Sequence, residues 1–367
     1  MRSEAALPTE IMGSYKVDLS DNARRILESR YLQKNMLGEM ESPGEMFWRV
    51  AHAVSRAELD YGSSYDAACW EEAFYQAMLS LLFLPNSPTL MNAGLPNSQL
   101  SACYVLPVEN DTDAIYRTVE EASLIQQRGG GVGYNVSGLR PRGDFYPQYG
   151  HYAAGPLAFI RAMNHATESI SQKLPRGGAN MGVLNIEHPD IEAFILSKKD
   201  EKKLRNFNIS VGMRDAFMHA LGRDAYWELL HPLTRRVVKK VKARKIWQML
   251  VHSAWKSGEP GILYLDAMQQ DNPLPGLSNL DTTNPCGEVP LLAYESCNLG
   301  SVNLARMLVR RRGSLHVDWE KLAAVVALGV RFLDNVIEVN HYTSPLIQNM
   351  TRANRKIGLG VMGWAEM

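Results

Sequence analysis

The residues with the clearest chemical potential lie in the segment Asn284-Pro285-Cys286-Gly287-Glu288. A cysteine thiol there is flanked at alternate positions by Asn284 and Glu288. Alternate residues of an extended segment point to the same side. The spacing therefore predicts a thiol, a hydrogen-bonding amide and a carboxylate base on one face of a loop. The alternative is a buried cysteine in a turn.

The other cysteines and the histidines do not form a metal-binding pattern. Cys69, Cys103 and Cys297 lie far apart in the sequence, and no CxxC pair occurs. The 9 histidines show no HxH or HExxH spacing. Because zinc sites are built from closely spaced ligands of these types, we expect no metal to be held directly by this chain.

Composition excludes several classes of protein. The chain has 367 residues with 39 Lys plus Arg and 39 Asp plus Glu, so its formal net charge of 0 excludes a generally basic nucleic-acid binder. Its 4 cysteines are too few for a secreted disulfide scaffold. The N-terminus lacks an apolar signal core, and no apolar run reaches about 18 residues. We therefore expect a cytoplasmic protein with no nucleic-acid or membrane partner.

Glycine-rich segments are a second candidate for binding. Residues 129–133 read Gly-Gly-Gly-Val-Gly and follow a predicted helix. Glycines let backbone N–H groups approach a phosphate or sugar closely, the alternative here being a plain tight turn. Gly358, Gly360 and Gly363 match GxGxxG. No further helix and strand follow them, so dinucleotide binding is not expected.

A basic segment lies at residues 234–245 (TRRVVKKVKARK), where lysines and arginines are interleaved with valines. A nucleic-acid arm is one interpretation of this pattern. An edge strand or hairpin that its charges protect from aggregation is the interpretation we favour.

The elements that must position these residues follow from caps and hydrophobic periodicity. Ser20 predicts the start of one helix, and Ser42-Pro43-Gly44-Glu45 is a capping box that predicts another. Farther along, residues 113–127, 151–172 and 318–339 predict helices that alternate with short apolar strands.

This alternation is typical of α/β architecture with largely parallel strands. We therefore predict a helical domain over residues 1–82 and an α/β domain over residues 83–367. At the end of the chain, residues 356–362 predict a buried strand and residues 363–367 predict the first turn of a helix. Because a domain rarely stops one turn into an element, we expect the chain to be a fragment or one half of a split protein.

Several motifs, taken in order along the chain, resemble those of ribonucleotide reductase catalytic chains. Asn284-x-Cys286-x-Glu288 is similar to the finger-loop motif of that family. The other matching segments are Leu84–Gly94, Leu100–Cys103, Gly130–Asn135, Arg140–Gly143, Arg176–Gly182 and Cys297–Leu304. The resemblance implies an α/β fold in which a helical N-terminal region precedes the first half of a ten-stranded barrel with its finger loop.

The resemblance also implies catalytic roles. A thiyl radical on Cys286 abstracts the 3′ hydrogen of a ribonucleotide, Glu288 takes the 3′-hydroxyl proton as general base, and Asn284 holds the substrate. Cys103 and Cys297 then supply two electrons and end as a disulfide, while the 2′-hydroxyl leaves as water.

Binding residues are implied in the same way. The implied substrate contacts are Ser87, Ala102, Cys103 and Gly131, together with Asn284 and Glu288. The loop from Arg176 to Asn180 resembles the family's specificity loop, which links an effector, a deoxynucleotide or ATP, to base choice. Where family members often carry an acidic residue for the effector ribose, this chain has Asn110 followed by Asp111.

The opening segment Asn22–Leu27, followed by Arg30–Leu32, resembles the adenosylcobalamin-dependent, dimeric class of the family. The resemblance implies adenosylcobalamin as cofactor, a homodimer, a thiol reductant system and a missing C-terminal half. Two alternatives remain: a large subunit that takes its radical from a separate metal-containing small subunit, and a non-catalytic nucleotide-binding fragment. The sequence does not distinguish a diphosphate from a triphosphate substrate. Cys69 matches no motif and is expected to be structural.

Overall fold

The computed structural model describes residues 17–35, 37–62, 64–96, 98–147, 150–171, 177–200 and 203–367. The helices are α1 (Asp21–Arg30), α2 (Pro43–Ser55), α3 (Glu58–Tyr61), α4 (Ser64–Leu79), α5 (Ser87–Asn92), α6 (Thr112–Gln127), α7 (Pro156–Ser171), α8 (Ile191–Ile195), α9 (Asp215–Gly222), α10 (Ala243–Ser257), α11 (Leu265–Gln270), α12 (Trp319–Val339) and α13 (Pro345–Asn354). The strands are β1 (Phe83–Pro85), β2 (Cys103–Val105), β3 (Gly131–Asn135), β4 (Phe145–Tyr146), β5 (His151–Tyr152), β6 (Ala179–Asn185), β7 (Phe207–Met213), β8 (Tyr226–Leu230), β9 (Val237–Lys242), β10 (Gly261–Tyr264), β11 (Ser296–Asn303), β12 (Leu308–Arg311), β13 (Ser314–Val317) and β14 (Ile357–Met362).

The predicted helix starts are confirmed by their caps. Ser20 accepts a hydrogen bond from the N–H of Ala23 at the start of α1. Ser42 and Glu45 form a complete capping box at the start of α2, with Pro43 in the first turn. These contacts satisfy backbone N–H groups that have no partner within the helix, so the boundary is set by residues three positions apart.

The chain divides into two compact units. The first unit combines the chain up to Ala102 with Cys297–Tyr342 and Thr351–Met367. The second unit combines Cys103–Ser296 with Thr343–Met350.

The first unit packs helices against a small mixed sheet. β11 is the middle strand, with β1 antiparallel on one side and β14 parallel on the other. Helices α2, α4 and α12 bury their apolar faces in the core of this unit. At its centre, the ring of Phe332 meets the rings of Phe74 and Phe83 edge to face, at centroid distances of 5.0 and 5.3 Å. This is a favourable geometry for aromatic pairs.

The second unit is built on a parallel sheet. Its strands follow chain order, β2-β3-β6-β7-β10, and every neighbouring pair is parallel. Parallel neighbours need a crossover connection, which α6 supplies between β2 and β3 and α7 supplies between β3 and β6. The carboxyl ends of all these strands therefore lie on the same edge of the sheet.

The basic segment forms a charged hairpin, as favoured from the sequence. β8 and β9 pair antiparallel. Lys239 and Lys245 both form ion pairs with Glu192, and Lys240 pairs with Glu228. Because acidic side chains of the same unit neutralise these lysines, the nucleic-acid alternative loses its main support.

Three expected elements differ in the structure. The strand predicted to be buried over residues 356–362 is β14, which pairs with β11 but whose residues are half-buried or exposed. The helix predicted over residues 151–172 begins only at Pro156, because His151 and Tyr152 form β5. Proline is common at the first position of a helix. The residues after β14 form a turn instead of a helix, and Gly363 there has a φ of +73°. Of the helices in the described ranges, each is too short or too polar to cross a bilayer.

A buried carboxylate links two helices of the first unit. Glu58, 1% exposed, accepts hydrogen bonds from Nε of Arg331 and Nδ2 of Asn335, both at 2.7 Å. The hydrogen bond from Arg331 lowers the pKa of Glu58, and Asn335 adds to this effect although burial opposes it. The contact therefore ties α3 to α12 most strongly while Glu58 is ionised.

Glu58→Gln is expected to lower the free energy of unfolding by about 1–2 kcal/mol at pH 7, because the pair with Arg331 loses its charge. The loss is limited because the Arg331 side chain is 40% exposed. Since the folded pKa lies below the unfolded value near 4.5, the stabilisation is present above that pH and is lost as the pH falls. Urea unfolding should show the difference shrinking between pH 7 and about pH 3.

Glu28→Gln is the matched control, because Glu28 is exposed on α1. It should leave the free energy of unfolding within about 0.5 kcal/mol of the unmodified chain. An equal loss for Glu58→Gln at both pH values would contradict the ionised pair.

Candidate functional site

The segment around Cys286 forms a tight turn. The N–H of Gly287 donates to the C=O of Asn284 at 3.1 Å, with Pro285 in the second position and Gly287, at φ +87°, in the fourth. Asparagine, proline and glycine are favoured at these turn positions. The spacing predicts an extended loop with all three side chains on one face, and this prediction is therefore wrong. The thiol sits in a turn, as in the alternative, but it is exposed and not buried.

The Asn284 side chain is the hub of this turn. Its Nδ2 donates to Oε2 of Glu288 at 2.7 Å and to Sγ of Cys103 at 3.2 Å. Its Oδ1 accepts the N–H of Val289 at 3.1 Å. Asn284 is 1% exposed, and both hydrogens of its amide nitrogen are used. The amide therefore holds a carboxylate and a thiol in fixed positions.

The residues leading to the turn lie along β3. The backbone C=O of Asp281 accepts from Nδ2 of Asn135 at 2.9 Å. A Cβ at Gly133 would collide with the C=O of Thr283, and one at Gly131 would lie 2.6 Å from Cγ of Pro285. We name residues 281–291 the Cys286 loop.

These contacts join residue 135 to 281, 133 to 283 and 131 to 285, so the loop runs antiparallel to β3. The close approach made possible by Gly131 and Gly133 is therefore used by the chain itself. From the sequence we expected it to serve a phosphate or sugar. On the neighbouring part of the sheet, Nδ2 of Asn208 donates to the C=O of Pro285 at 2.8 Å and anchors the turn.

The predicted catalytic residues of the second unit come together at one end of the sheet. Cys103 is the first residue of β2 and lies opposite Gly131, the first residue of β3. Cys103 is buried, whereas Cys286 and Glu288 are exposed. The arrangement combines an accessible thiol, a carboxylate that can accept a proton and a second, protected thiol.

The remaining predicted residues belong to the first unit. Ser87 begins α5, and its hydroxyl is hydrogen-bonded to that of Tyr31 at 2.8 Å. The N–H of Ala102 donates to the C=O of Cys297 at 3.2 Å, and Ala102 directly precedes Cys103 in the sequence. Cys297 is 1% exposed, and its thiol donates to the C=O of Asn298 at 3.3 Å.

Two of the predicted effector residues line a cavity of about 320 Å³ beside α6 and α7. Asp111 caps α6 by accepting the N–H of Ala114 at 3.0 Å. Oδ1 of Asn110 accepts the N–H of Arg140 at 2.9 Å. The two side chains are thus fixed at the rim of a space that also contacts Arg140 and Tyr146.

The other two predicted effector residues are Arg176 and Asn180. Arg176 lies outside the described residues. Asn180 is fully buried, and its Oδ1 accepts from Gln126 at 2.7 Å and from Tyr134 at 3.1 Å. Its Nδ2 donates to Thr167 at 2.9 Å. Because the amide is occupied inside the protein, these contacts support a role in anchoring β6 to α6 and α7, and not a direct contact with an effector.

A second cavity, of about 390 Å³, was not foreseen from the sequence. It lies at the carboxyl ends of β3 and β6, where Asn135 and Asn185 are the last strand residues, and Asp281 and Thr282 of the Cys286 loop line it. Ligands of α/β proteins characteristically bind outside the carboxyl ends of the strands. The sequence signal was the polar residue that ends each of these two strands.

Comparison with known proteins covers almost the whole chain. Residues 17–98 match the family model described as ribonucleotide reductase, all-alpha domain, and residues 101–367 match ribonucleotide reductase, barrel domain. The predicted fold class, a helical region followed by part of a reductase barrel, is confirmed. The boundary predicted between residues 82 and 83 stays a prediction.

Curated relatives show the same likeness. The chain is 39% identical to a vitamin B12-dependent ribonucleoside-diphosphate reductase of Thermoplasma acidophilum, over 98% of this chain and 54% of that protein. It is 44% identical to one of Mycobacterium tuberculosis (strain CDC 1551 / Oshkosh), over 96% and 50%. It is 27% identical to the ribonucleoside-diphosphate reductase subunit alpha of Chlamydia muridarum, over 93% and 35%. The chain thus spans about half the length of the two B12-dependent relatives.

Gly133→Ala is expected to displace the Cys286 loop, because the added methyl group and the C=O of Thr283 cannot occupy the same space. Overpacking of this kind costs about 1–3 kcal/mol. Hydrogen exchange followed by mass spectrometry should show at least about tenfold faster exchange in residues 281–291, because the N–H of Val289 loses its fixed acceptor.

Gly222→Ala is the matched control, because a Cβ at Gly222 meets nothing within 4 Å. It should leave exchange in the Cys286 loop unchanged. Equal exchange in Gly133→Ala and in the unmodified chain would contradict the seating of the loop on β3.

Proposed function

The chain belongs to the ribonucleotide reductase family, and from this premise we propose that it carries the catalytic cysteines of a reductase that converts ribonucleoside diphosphates to 2′-deoxyribonucleotides. The observation that carries the proposal is the Asn284 amide, which holds the Glu288 carboxylate and the Cys103 thiol beside the turn that bears Cys286. The choice of a diphosphate follows the names of the relatives from Thermoplasma and Mycobacterium.

In the proposed reaction, the thiyl sulfur of Cys286 takes the hydrogen atom from C3′, and Glu288 accepts the 3′-hydroxyl proton. The 2′-hydroxyl gains a proton and leaves as water. Cys103 and Cys297 supply two electrons and end as a disulfide. Cys286 then returns a hydrogen atom to C3′, so its radical is regenerated. The net change is one hydroxyl replaced by hydrogen, one water formed and two thiols oxidised.

The contacts of each residue support its proposed role. Cys286 is exposed on the turn, so both a radical source and a substrate can reach its sulfur. Glu288 is exposed and accepts a hydrogen bond from the Asn284 amide, which leaves its other oxygen available for the 3′-hydroxyl. Cys103 is buried behind the turn, so the reducing thiol is shielded from bulk solvent. Asn284 acts first as a positioning residue, since its amide hydrogens are already used.

The proposed cofactor is adenosylcobalamin. When bound, it supplies the radical that oxidises the Cys286 thiol. The relatives named for vitamin B12 are 39–44% identical to this chain, whereas the reductase subunit alpha is 27% identical. Because this subunit alpha is less similar to the chain, a radical supplied by a separate small subunit is the second candidate.

The proposal includes the partners of a complete reductase. Ser87, Ala102 and Gly131 would contact substrate together with the catalytic residues. The cavity lined by Asn110 and Asp111 would take the effector nucleotide. A dithiol system and a reducing cytoplasm would return the disulfide to thiols. The proposed reductase acts as a homodimer.

Cys286→Ser is expected to abolish deoxyribonucleotide formation, because the O–H bond of serine is far harder to cleave homolytically than the S–H bond. The assay combines the chain with ribonucleoside diphosphate, a dithiol and adenosylcobalamin, with and without a polypeptide that supplies the remaining half of the reductase. We expect activity only with both polypeptides, and a loss of at least about 10³-fold in the variant.

Cys69→Ser is the matched control, because Cys69 is an exposed cysteine on α4 that has no proposed role. It should keep normal turnover. Activity that requires an iron-containing small subunit would favour the second candidate, and substantial turnover by Cys286→Ser would contradict the radical role. Nucleotide binding without any turnover under all conditions would favour a non-catalytic fragment.

Cys103 and Cys297 are expected to form a disulfide after a single turnover without external reductant. A disulfide needs Cα atoms about 4.4–6.8 Å apart. Mass mapping after thiol alkylation should find this pair crosslinked and Cys69 alkylated. A crosslink of Cys69 to Cys103 would contradict the proposed redox pair.

A further inference from the structure

Strand β7 presents two different faces. Asn208 lies opposite Met181 of β6 in register, and Met181 lies opposite Gly133 of β3. Residues paired in this way share a face of the sheet, so Asn208 is on the face where the Cys286 loop lies. The residues of β7 on this face are small or polar (Asn208, Ser210 and Gly212), whereas those on the other face are large and apolar (Phe207, Ile209, Val211 and Met213).

Asn208 differs from the rest of its strand in exposure. It is the exposed residue of β7, and the six other residues of the strand are buried. Strands of a parallel sheet are usually apolar on both faces. The Nδ2 atom of Asn208 donates to the C=O of Pro285 at 2.8 Å. An amide that breaks the apolar pattern of a strand and bonds to the residue before Cys286 points to a role at the turn.

Three strands hold the two residues that precede the exposed cysteine. The side chain of Asn284 donates to the thiol of Cys103 on β2. The ring of Pro285 lies over Gly131 of β3, and Asn208 of β7 holds the carbonyl group of the same proline. The side chain of Asn208 is thus the contact that fixes the carbonyl end of the proline, next to the cysteine.

The geometry of proline makes this contact decisive for the direction of the thiol. The ring of Pro285 fixes its φ, and the peptide bond that follows is planar. The remaining soft torsion of Pro285 is ψ, which rotates its C=O together with the N–H of Cys286. A hydrogen bond to that C=O sets ψ, and it therefore sets the orientation from which the Cys286 side chain projects.

The two ends of the Cys286 loop differ in how polar side chains are used. At the cavity end, Oγ of Thr282 is buried without a hydrogen-bond partner among the described residues, as are Oδ1 of Asn185 and Oε2 of Glu187 in the same lining. At the turn, the amides of Asn284 and Asn208 both hold neighbouring groups. The turn is therefore the part of the loop whose geometry is specified by side-chain amides.

We propose that Asn208 is a positioning residue for the radical cysteine, which acts by holding the peptide unit between Pro285 and Cys286 in one orientation. The inference rests on the proposed function, because it assigns Asn208 to the step in which the sulfur of Cys286 takes a hydrogen atom. A reacting atom that is misplaced by about 1 Å can lower the rate about 100-fold. Asn208 itself touches neither the reacting atoms nor the thiol in this role.

The first test is hydrogen exchange of the 367-residue chain, followed by mass spectrometry. Asn208→Leu removes the donor at similar volume, and Asn208→Asp replaces it with a carboxylate that cannot donate. Exchange of residues 286–289 at pH 7 is expected to be at least about threefold faster in both variants, because the turn loses its anchor. Equal exchange in the variants and in the unmodified chain would overturn the proposal.

Asn279→Asp is the matched control, because Asn279 is an exposed asparagine at the cavity on the other end of the strands. It should leave exchange of residues 286–289 unchanged. Thermal unfolding is expected to place all variants within about 3 °C of the unmodified chain, since Asn208 is exposed. Faster exchange throughout β6 and β7 would show a general structural role and would overturn the proposal.

The pH dependence of Asn208→Asp isolates the hydrogen bond from the shape of the side chain. The introduced carboxylate accepts only, but its protonated form can donate to the C=O of Pro285. As the pH falls from 7 to about 4, towards the usual pKa of an aspartate, protection of residues 286–289 is expected to recover, after correction for intrinsic exchange. Asn208→Leu should show no recovery. The same pH response in both variants would contradict the donor role.

The reductase assay with the second polypeptide separates this inference from the proposed function. Asn208→Leu is expected to lower kcat at least about tenfold and to leave the KM for the ribonucleoside diphosphate within about twofold. Normal kcat in this variant would overturn the positioning role and leave the proposed function standing. The expected exchange response in a protein that reduces no ribonucleotide would overturn the proposed function and leave the anchor of the turn standing.

Discussion

The absence of side chains at Gly131 and Gly133 is the constraint on which the site depends. Without Cβ atoms on that face of β3, the backbone of the Cys286 loop lies directly against the strand, with Thr283 and Pro285 in the vacated space. Any larger residue would push the loop away from the sheet. The position of the turn therefore follows from two missing methyl groups in a neighbouring strand as much as from the residues of the turn itself.

Two buried asparagines then fix the loop and the sheet through their side-chain hydrogen bonds. Asn284 connects the turn to Glu288 and Cys103. Asn180 connects β6 to Gln126 and Thr167 on the two flanking helices. Hydrogen bonds in a low-dielectric interior are strong when every member is satisfied, and they specify one arrangement. The two networks hold the loop, the sheet and the helices in a common frame.

The two ends of the parallel sheet have different roles. Cys103 and Gly131 begin their strands at the end that carries the turn, whereas Asn135 and Asn185 end theirs beside the cavity with orphaned polar atoms. Because the Cys286 loop runs antiparallel to β3, it passes from the cavity end to the cysteine end. One segment of chain thus runs from the cavity to the reactive thiol.

Features that depend on near neighbours could be predicted from the residues alone. The caps at Ser20 and Ser42 were predictable because each bonds to a backbone group three residues away. The alternation of helices and strands, the charged hairpin and the Asn-x-Cys-x-Glu motif could likewise be identified from local pattern. The spacing of that motif still gave the wrong conformation, since hydrogen bonding and proline geometry produce a turn in which Asn284 is buried.

The contacts between distant residues are visible only in the folded protein. Asn284 and Cys103 are 181 positions apart, and no periodicity links them. The use of Gly131 and Gly133 as a seat for the chain, the occupation of the Asn180 amide inside the protein and the orphaned hydroxyl of Thr282 were equally invisible in the sequence. The physical reason is that caps and turns are governed by a few neighbouring torsion angles. Close approach and burial depend on how the whole chain packs, and any residue of the chain can supply the partner.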